Sequence, residues 1–356
     1  MKIGIFTQPL KSNYGGILQN YAVQVVLKRL GHEAWTIDYL RFTWLDWFVV
    51  AVKVTIKKCL GRKANYPQSP TKVQRQEHPL RRFALKYIQL TQPRVKYPSK
   101  SILQSYGFDA LLVGSDQTWR PMYNGKIYDM YLQLAEGMNV KRVAYAASFG
   151  TDKWEYTPEQ EAECARLAKL FDAISVREAS GVGLCNEHFD VEVTHVLDPT
   201  LLLTANDYNE LCKDIEPREP FVFAYILDMS EQKVAEIKAF AEAKGLPYFI
   251  KSADADISDA DSIELWLSYF RDATYVITDS FHGTAFSINY NKDFFVFFNE
   301  ERGNSRFDSL LNLFNLKDRV VTSVNSKKTS INWTEVNQLL NSERERCETW
   351  LNNALK

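Results

Sequence analysis

One histidine sits where a chain can most easily stage proton transfer. In the stretch YVITDSFHG, residues 275–283, a β-branched run ends in Asp279-Ser280, His282 follows, and Gly283 leads into a helix-compatible segment. A strand that ends at a helix mouth is where open α/β sheets collect ligands, and a helix N-terminus favours anions. Histidine titrates near neutral pH and can give or take a proton there. The competing reading is plain capping by Asp279 or Ser280 beside a packed histidine. Two more groups stand at predicted strand ends. Asp116, in VGSDQTW, can hold or deprotonate a hydroxyl, or can cap its own turn. Arg177, in SVRE, can grip a carboxylate or phosphate with two prongs, or can pair structurally with Glu178.

The elements that must position these groups follow from periodicity. A buried strand at residues 2–7 leads through a loop to Asn13-Tyr14-Gly15-Gly16, and a helix is predicted over 17–30. The glycine pair allows something to approach the backbone above the sheet. Asn13, Gln19 and Asn20 offer neutral groups suited to sugar hydroxyls, or serve as turn and cap residues. The spacing lacks a clean GxGxxG, so a dinucleotide site is weakly supported. Further strands are predicted at 34–39, 110–113, 142–148, 173–176 and 191–197, with a helix at 158–170. A second α/β series starts near Pro220, with strands at 221–226, 247–251, 275–278 and 294–298 and helices at 230–244 and 261–270. A helix begins near Arg306, and a last one spans 333–355. The expected fold class is α/β: two Rossmann-like domains, 1–200 and 201–356, facing a cleft in a GT-B-like arrangement.

Composition is that of a globular protein: 356 residues, 46% hydrophobic, 24% charged. Five scattered cysteines without a CxxC fit reduced thiols in the cytoplasm and offer no zinc site. The N-terminus reads as a strand, not a signal peptide. The net charge of −1 is unevenly spread. Residues 41–104 carry 14 Lys/Arg against Asp46 and Glu77, a basic insertion in an otherwise acidic chain. Within it, residues 44–63 combine aromatic and aliphatic side chains with Lys57-Lys58 and Arg62-Lys63. That pattern is too short and too interrupted to span a bilayer. It fits an interfacial helix on anionic lipid, and equally a flap over a phosphorylated ligand. Nucleic acid is not expected, because the remaining surface is acidic. Residues 65–79, with three prolines, read as loop.

Taken in order, NYGGILQNYA, VGSDQTW, AASFG, SVRE, DPT and TDSFHGT span most of the chain, and together they resemble the polysaccharide pyruvyl transferases. The resemblance implies transfer of the pyruvyl unit of phosphoenolpyruvate onto two hydroxyls of a sugar, giving a cyclic ketal and phosphate. It implies His282 as acid/base and Arg177 as a holder of the donor, with Ser280 and Gly283 beside them. Many members carry an arginine just before a Leu-His pair; here that stretch reads Ser280-Phe281-His282, so Arg302 and Arg306 are the expected substitutes. The first half would take the acceptor, through Asn13, Gly15, Gly16, Gln19, Asn20, Asp116 and Trp119. No cofactor or metal is expected beyond the donor substrate. The acceptor is a sugar in a polysaccharide precursor, polyprenyl-diphosphate-linked being one form, met at the inner face of the cytoplasmic membrane. A nucleotide-sugar glycosyltransferase and a non-catalytic glycan- or lipid-binding protein are the two competing readings.

Overall fold

A computed structural model describes residues 1–10, 13–39, 44–59, 66, 70–252, 261–297, 305–324 and 330–356. The first half contains β1 (Lys2–Phe6), α1 (Tyr14–Arg29), β2 (Glu33–Thr36), α2 (Trp44–Cys59), α3 (Pro70–Tyr87), α4 (Lys100–Tyr106), β3 (Ala110–Val113), β4 (Lys141–Ala147), α5 (Pro158–Ala168), β5 (Ala173–Val176), α6 (Ala179–His188) and β6 (Thr194–His195). The second contains α7 (Ala205–Asn209), β7 (Val222–Tyr225), α8 (Glu231–Lys244), β8 (Tyr248–Lys251), α9 (Ile263–Asp272), β9 (Tyr275–Thr278), α10 (Phe281–Asn289), β10 (Asp293–Phe297), α11 (Ser305–Leu313), β11 (Val320–Val321) and α12 (Trp333–Ala354).

Both sheets are parallel and share one winding. The first runs β2-β1-β3-β4-β5-β6 and the second β11-β10-β9-β7-β8. Strands covered on both faces are apolar throughout, as in Ala-Leu-Leu-Val of β3, buried at every position. In each sheet the chain order reverses beside the first strand, between β1 and β3 and between β7 and β9. Loops diverge at such a switch point and leave a crevice at the strands' C-terminal ends. This is the two-sheet, GT-B-like α/β architecture the sequence predicts.

The two halves share one continuous apolar core, in which Ile5, Leu112, Phe223 and Trp266 belong to a single cluster. Tyr14 stacks on Trp266 at 5.3 Å, and its hydroxyl donates to the Asp261 carbonyl at 2.8 Å. Helix α12 crosses between the halves. Arg344 donates to Leu201 O and to Asn289 Oδ1, at 2.7 and 3.2 Å, and Trp350 Nε1 donates to Thr194 Oγ1 at 3.1 Å.

Three sequence expectations are corrected here. Residues 70–79, read as loop, open α3, with Pro70 at its start and Pro79 inside it. Burial of Leu80, Phe83 and Ala84 in the main core outweighs the hydrogen bond that Pro79 removes. Helix α1 starts at Tyr14, so Gly15 and Gly16 lie in its first turn and not in a loop. The strand expected over 191–197 contracts to Thr194–His195, the two residues that pair with Ser175 and Val176 of β5.

Candidate active site

The crevice between the two switch points is built from both halves. Asn13 caps α1, its Oδ1 accepting from Gly16 N at 3.2 Å, and its amide reaches Asp116 Oδ2 at 3.2 Å. Asp116 follows β3 with φ +63°, a left-handed conformation that aspartate tolerates better than most residues. Thr118 N and Ser148 N donate to its carbonyl at 2.7 and 3.2 Å and hold that conformation. Across the crevice, Ser280 caps α10 by accepting from Gly283 N at 3.3 Å, which places Phe281 and His282 in the helix's first turn.

The glycine pair explains how the halves come so close. A Cβ built on Gly15 would stand 2.0 Å from His282 Nδ1, and one built on Gly16 would stand 3.1 Å from Asp116 Oδ2. One helical turn therefore touches the histidine with one glycine and the carboxylate with the next. A cavity of about 160 Å³ is lined by Asn13, Gly15, Asp116, Ser280, His282 and Arg306, among others. A second cavity, of about 310 Å³, shares Asn13, Asp116, Gln117 and Tyr123 with it and continues along Gln8, Leu10 and Ile17.

Beneath the histidine lies a buried polar network assembled from AASFG, SVRE and DPT. Arg177 donates to Asp198 Oδ2 at 2.9 Å and to Ser148 Oγ at 3.0 Å. Ser148 Oγ in turn donates to Glu178 Oε1 at 2.7 Å. Thr200 supplies both its N–H and its hydroxyl to Asp198 Oδ1, at 2.9 and 2.6 Å. Gln19 Nε2 donates to Asp198 Oδ2 at 2.5 Å and meets His282 Nε2 at 2.8 Å. Burial holds His282 below its ordinary titration range, and Arg177 and Arg306 push the same way against Asp198 and Asp116. Burial works to raise the Asp198 carboxyl, but His282 and Arg177 outweigh it and the group titrates below its usual range. Burial, seconded by Arg177, lowers Arg306 to about 10, so it is still cationic at neutral pH.

The predicted site residues divide accordingly. Asn13, Gly15, Asp116, Ser280, His282 and Arg306 border the first cavity, and Gly16 borders the second. Arg177 is not at the cavity wall; its side chain is 1% exposed and committed to Asp198. Gly283 is packed instead of open, since a Cβ there would stand 2.2 Å from Thr278 Oγ1. Gln19 is fully buried under His282 instead of facing an acceptor. Asn20 accepts from the Thr36 hydroxyl at 2.7 Å and belongs to the α1–β2 packing. Trp119 is fully buried, stacked on Tyr131 at 4.6 Å, with its ring N–H given to Met130 O. Arg302 lies outside the described residues. Gln117, Tyr123 and Tyr225 line the first cavity without having been singled out from sequence. Ser148 and Asp198 were visible only as letters of the AASFG and DPT motifs.

A family model for polysaccharide pyruvyl transferase matches residues 13–300. The chain belongs to the polysaccharide pyruvyl transferase family. That match covers α1, β3, the whole of the second switch point and every motif of the buried network. No curated protein matches the sequence. Among solved structures, the chain is similar to the UDP-GlcNAc 2-epimerase from Neisseria meningitidis bound to UDP-GlcNAc, at 12% identity and a TM-score of 0.48, covering 98% of this chain and 94% of that one. It is also similar to a glycosyltransferase from Rickettsia africae, at 11% identity and a TM-score of 0.40, covering 100% and 94%. The wall teichoic acid polymerase TagF gives 11% identity and a TM-score of 0.44, covering 99% and 82%.

Proposed function

We propose that this pyruvyl transferase family member moves the pyruvyl unit of phosphoenolpyruvate onto two hydroxyls of a sugar in a polysaccharide or lipid-linked oligosaccharide precursor. One observation carries the reading: His282 and Asp116 border one cavity from opposite halves, with Arg306 in the same wall. The donor is a small trianion. Arg306 and the N-terminus of α10 supply positive charge for it, while Arg177 acts from below through Asp198.

The chemistry balances on these groups. His282, once protonated to the imidazolium, gives a proton to the donor's methylene carbon, which leaves an oxocarbenium-like centre at C2. A sugar hydroxyl bonds to C2 as Asp116 takes its proton. A second hydroxyl then closes the ring as the C2–O bond to phosphate breaks. Of the two hydroxyl protons, one replaces that lost by His282 and the other leaves with phosphate. The second cavity, with apolar Leu10 and Ile17 beside amide-bearing Gln8 and Asn13, suits a sugar ring.

Mass spectrometry of candidate sugars incubated with phosphoenolpyruvate tests this directly. The expected product carries an added pyruvate ketal, formed together with phosphate, and His282→Ala stops both. Stabilisation of the protein by nucleotide sugars alone, with no ketal formed on any acceptor, overturns the reading in favour of a glycosyltransferase.

In the same reading the acceptor is met in the cytoplasm on an anionic membrane surface. Phe48, Val52 and Ile56, at one-turn spacing on α2, are 63%, 42% and 54% exposed, and Lys53 and Lys57 lie on the adjoining stripe. Among the described residues no helix is long and apolar enough to cross a membrane. Flotation with phosphatidylglycerol vesicles, absent with phosphatidylcholine and lost in a Phe48→Ser/Ile56→Ser variant, is expected. Equal flotation of variant and parent defeats the lipid surface.

A further inference from the structure

We infer that Gln19 and Asp198 fix the tautomer of His282, keeping the ring proton on Nδ1, so that Nδ1–H and not Nε2 is the ring position presented to substrate. Gln19 is the positioning residue in this arrangement and Asp198 orients Gln19. The use of Nδ1 on substrate rests on the pyruvyl-transfer reading, whereas the tautomer itself does not.

The argument is one of donor and acceptor counting. A primary amide nitrogen carries two hydrogens and accepts none. Gln19 Nε2 is 2.5 Å from Asp198 Oδ2 and 2.8 Å from His282 Nε2, so one N–H serves each. An imidazole nitrogen that receives a hydrogen bond bears no proton, and the neutral ring then carries it on Nδ1. His282 Nε2 lies 3.8 Å from Asp198 Oδ2, too far for a direct hydrogen bond, so the amide is the link.

The orientation of the amide is itself determined. Gln19 Oε1 finds no hydrogen-bond partner among the described residues, which invites turning the amide over. Turning it would set that oxygen 2.5 Å from a carboxylate oxygen that also accepts from Arg177. Two oxygens without a hydrogen between them repel at that distance. Arg177 and Thr200 together occupy both Asp198 oxygens with donors, which favours the ionised carboxylate that the amide needs. The unpartnered oxygen is the cost of keeping both nitrogen contacts.

The consequence is directional. Nδ1 is the nitrogen on the Gly15 side of the ring, and Gly15 and His282 line the cavity together. The proton is thus held on the side of the ring away from Gln19, against Gly15, and Nε2 is occupied by a donor that cannot accept a proton from it. The resting ring is neutral: it can hydrogen-bond the donor through Nδ1–H, and it must gain a second proton before it can protonate the donor's carbon.

Nitrogen-15 NMR of histidine-labelled full-length protein at neutral pH, without donor or acceptor, tests the tautomer. The chain has five histidines, and the His282 signals are those lost in His282→Asn. The expected spectrum shows His282 protonated at Nδ1 with Nε2 bare; protonation at Nε2 overturns the inference. Gln19→Glu replaces the donor with an acceptor and is expected to move the proton to Nε2. A folded Gln19→Glu protein that keeps it on Nδ1 also overturns the inference, and if that variant does not fold the wild-type spectrum still decides. Failure of ketal formation in the mass-spectrometric assay leaves this spectrum unaffected, so the two readings fail separately.

Discussion

Asp116 and Asp279 stand at corresponding places in the two sheets, each just beyond the strand on the far side of a switch point, and they have opposite fates. Asp279 is buried and spent. Its carboxylate accepts from Leu227 N at 2.5 Å, Asp228 N at 3.0 Å and Lys233 Nζ at 2.7 Å, and so ties the loop after β7 to the loop after β9. Asp116 places Oδ1 on Gln117 N at 2.9 Å and Oδ2 on the Asn13 amide at 3.2 Å, and it lines both cavities. Topology brings both carboxylates to the crevice edge, but the donors that reach each one decide whether it builds the crevice or works in it. The arginines differ in place. Arg177 is consumed by Asp198 and Ser148, while Arg306, from the first turn of α11, borders the cavity.

Matched substitutions break the comparison most sharply. Asp116→Asn keeps the size but removes the base and sets an amide N–H against one of the two donors, Gln117 N or the Asn13 amide, so kcat for phosphate release should fall about 10²–10⁴-fold. Its Tm should fall less than that of Asp279→Asn, whose carboxylate is held by three donors. Asp279→Asn should do the reverse: two backbone N–H groups and Lys233 lose a charged acceptor in a buried position, at a cost of about 1–3 kcal/mol in denaturant unfolding. If Asp116→Asn unfolds early and Asp279→Asn is merely slow, the two roles are exchanged.

Arg306 comes next in size. Arg306→Gln removes a charge from the cavity wall that it shares with His282 and Ser280. Charge-assisted contacts contribute about 1.5–3 kcal/mol, so KM for phosphoenolpyruvate should rise about 10–100-fold, with a smaller change in kcat. An unchanged KM would place the donor elsewhere in the crevice.

The fold was legible because parallel strands are short, largely apolar runs closed by polar residues or Gly, and β3, β5 and β9 are found where those runs lie. Helix α3 was not, because Pro79 argues locally for loop and the burial that overrides it comes from distant α1 and α9 contacts. His282 and Asp116 were legible as chemistry at strand ends. Trp119 was misread because a loop's sequence does not say which way a side chain turns, and here it turns into the core beside Tyr131 and Phe149. Arg177 and Gln19 were misplaced for one reason: their partner, Asp198, comes from a different segment, 21 residues beyond the arginine and 179 beyond the glutamine. Sequence proximity carries no information on such pairs.

The smallest effect separates the two edges by pH. Histidine's ordinary pKa is about 6.5. Burial lowers that of His282, and burial likewise lowers His195, whose Nε2 contacts Arg177 O at 3.1 Å. Below about 6.5 the unfolded chain therefore binds more protons than the native one, and stability must fall as pH falls through that window. Asp198 adds to the loss only further down, as pH drops below the ordinary carboxylate range toward its lowered folded value. His32 is lowered too, by burial and the neighbouring N-terminal ammonium, so His282→Asn removes one of three histidine contributions, and its unfolding free energy should decline less steeply between pH 6.5 and 5 than the parent's. Asp279→Asn leaves all three histidines in place and should lower the whole curve without changing that slope. If His282→Asn retains the parental slope, the histidine is not held neutral by its burial, and the contrast between a working edge and a structural edge loses its electrostatic basis.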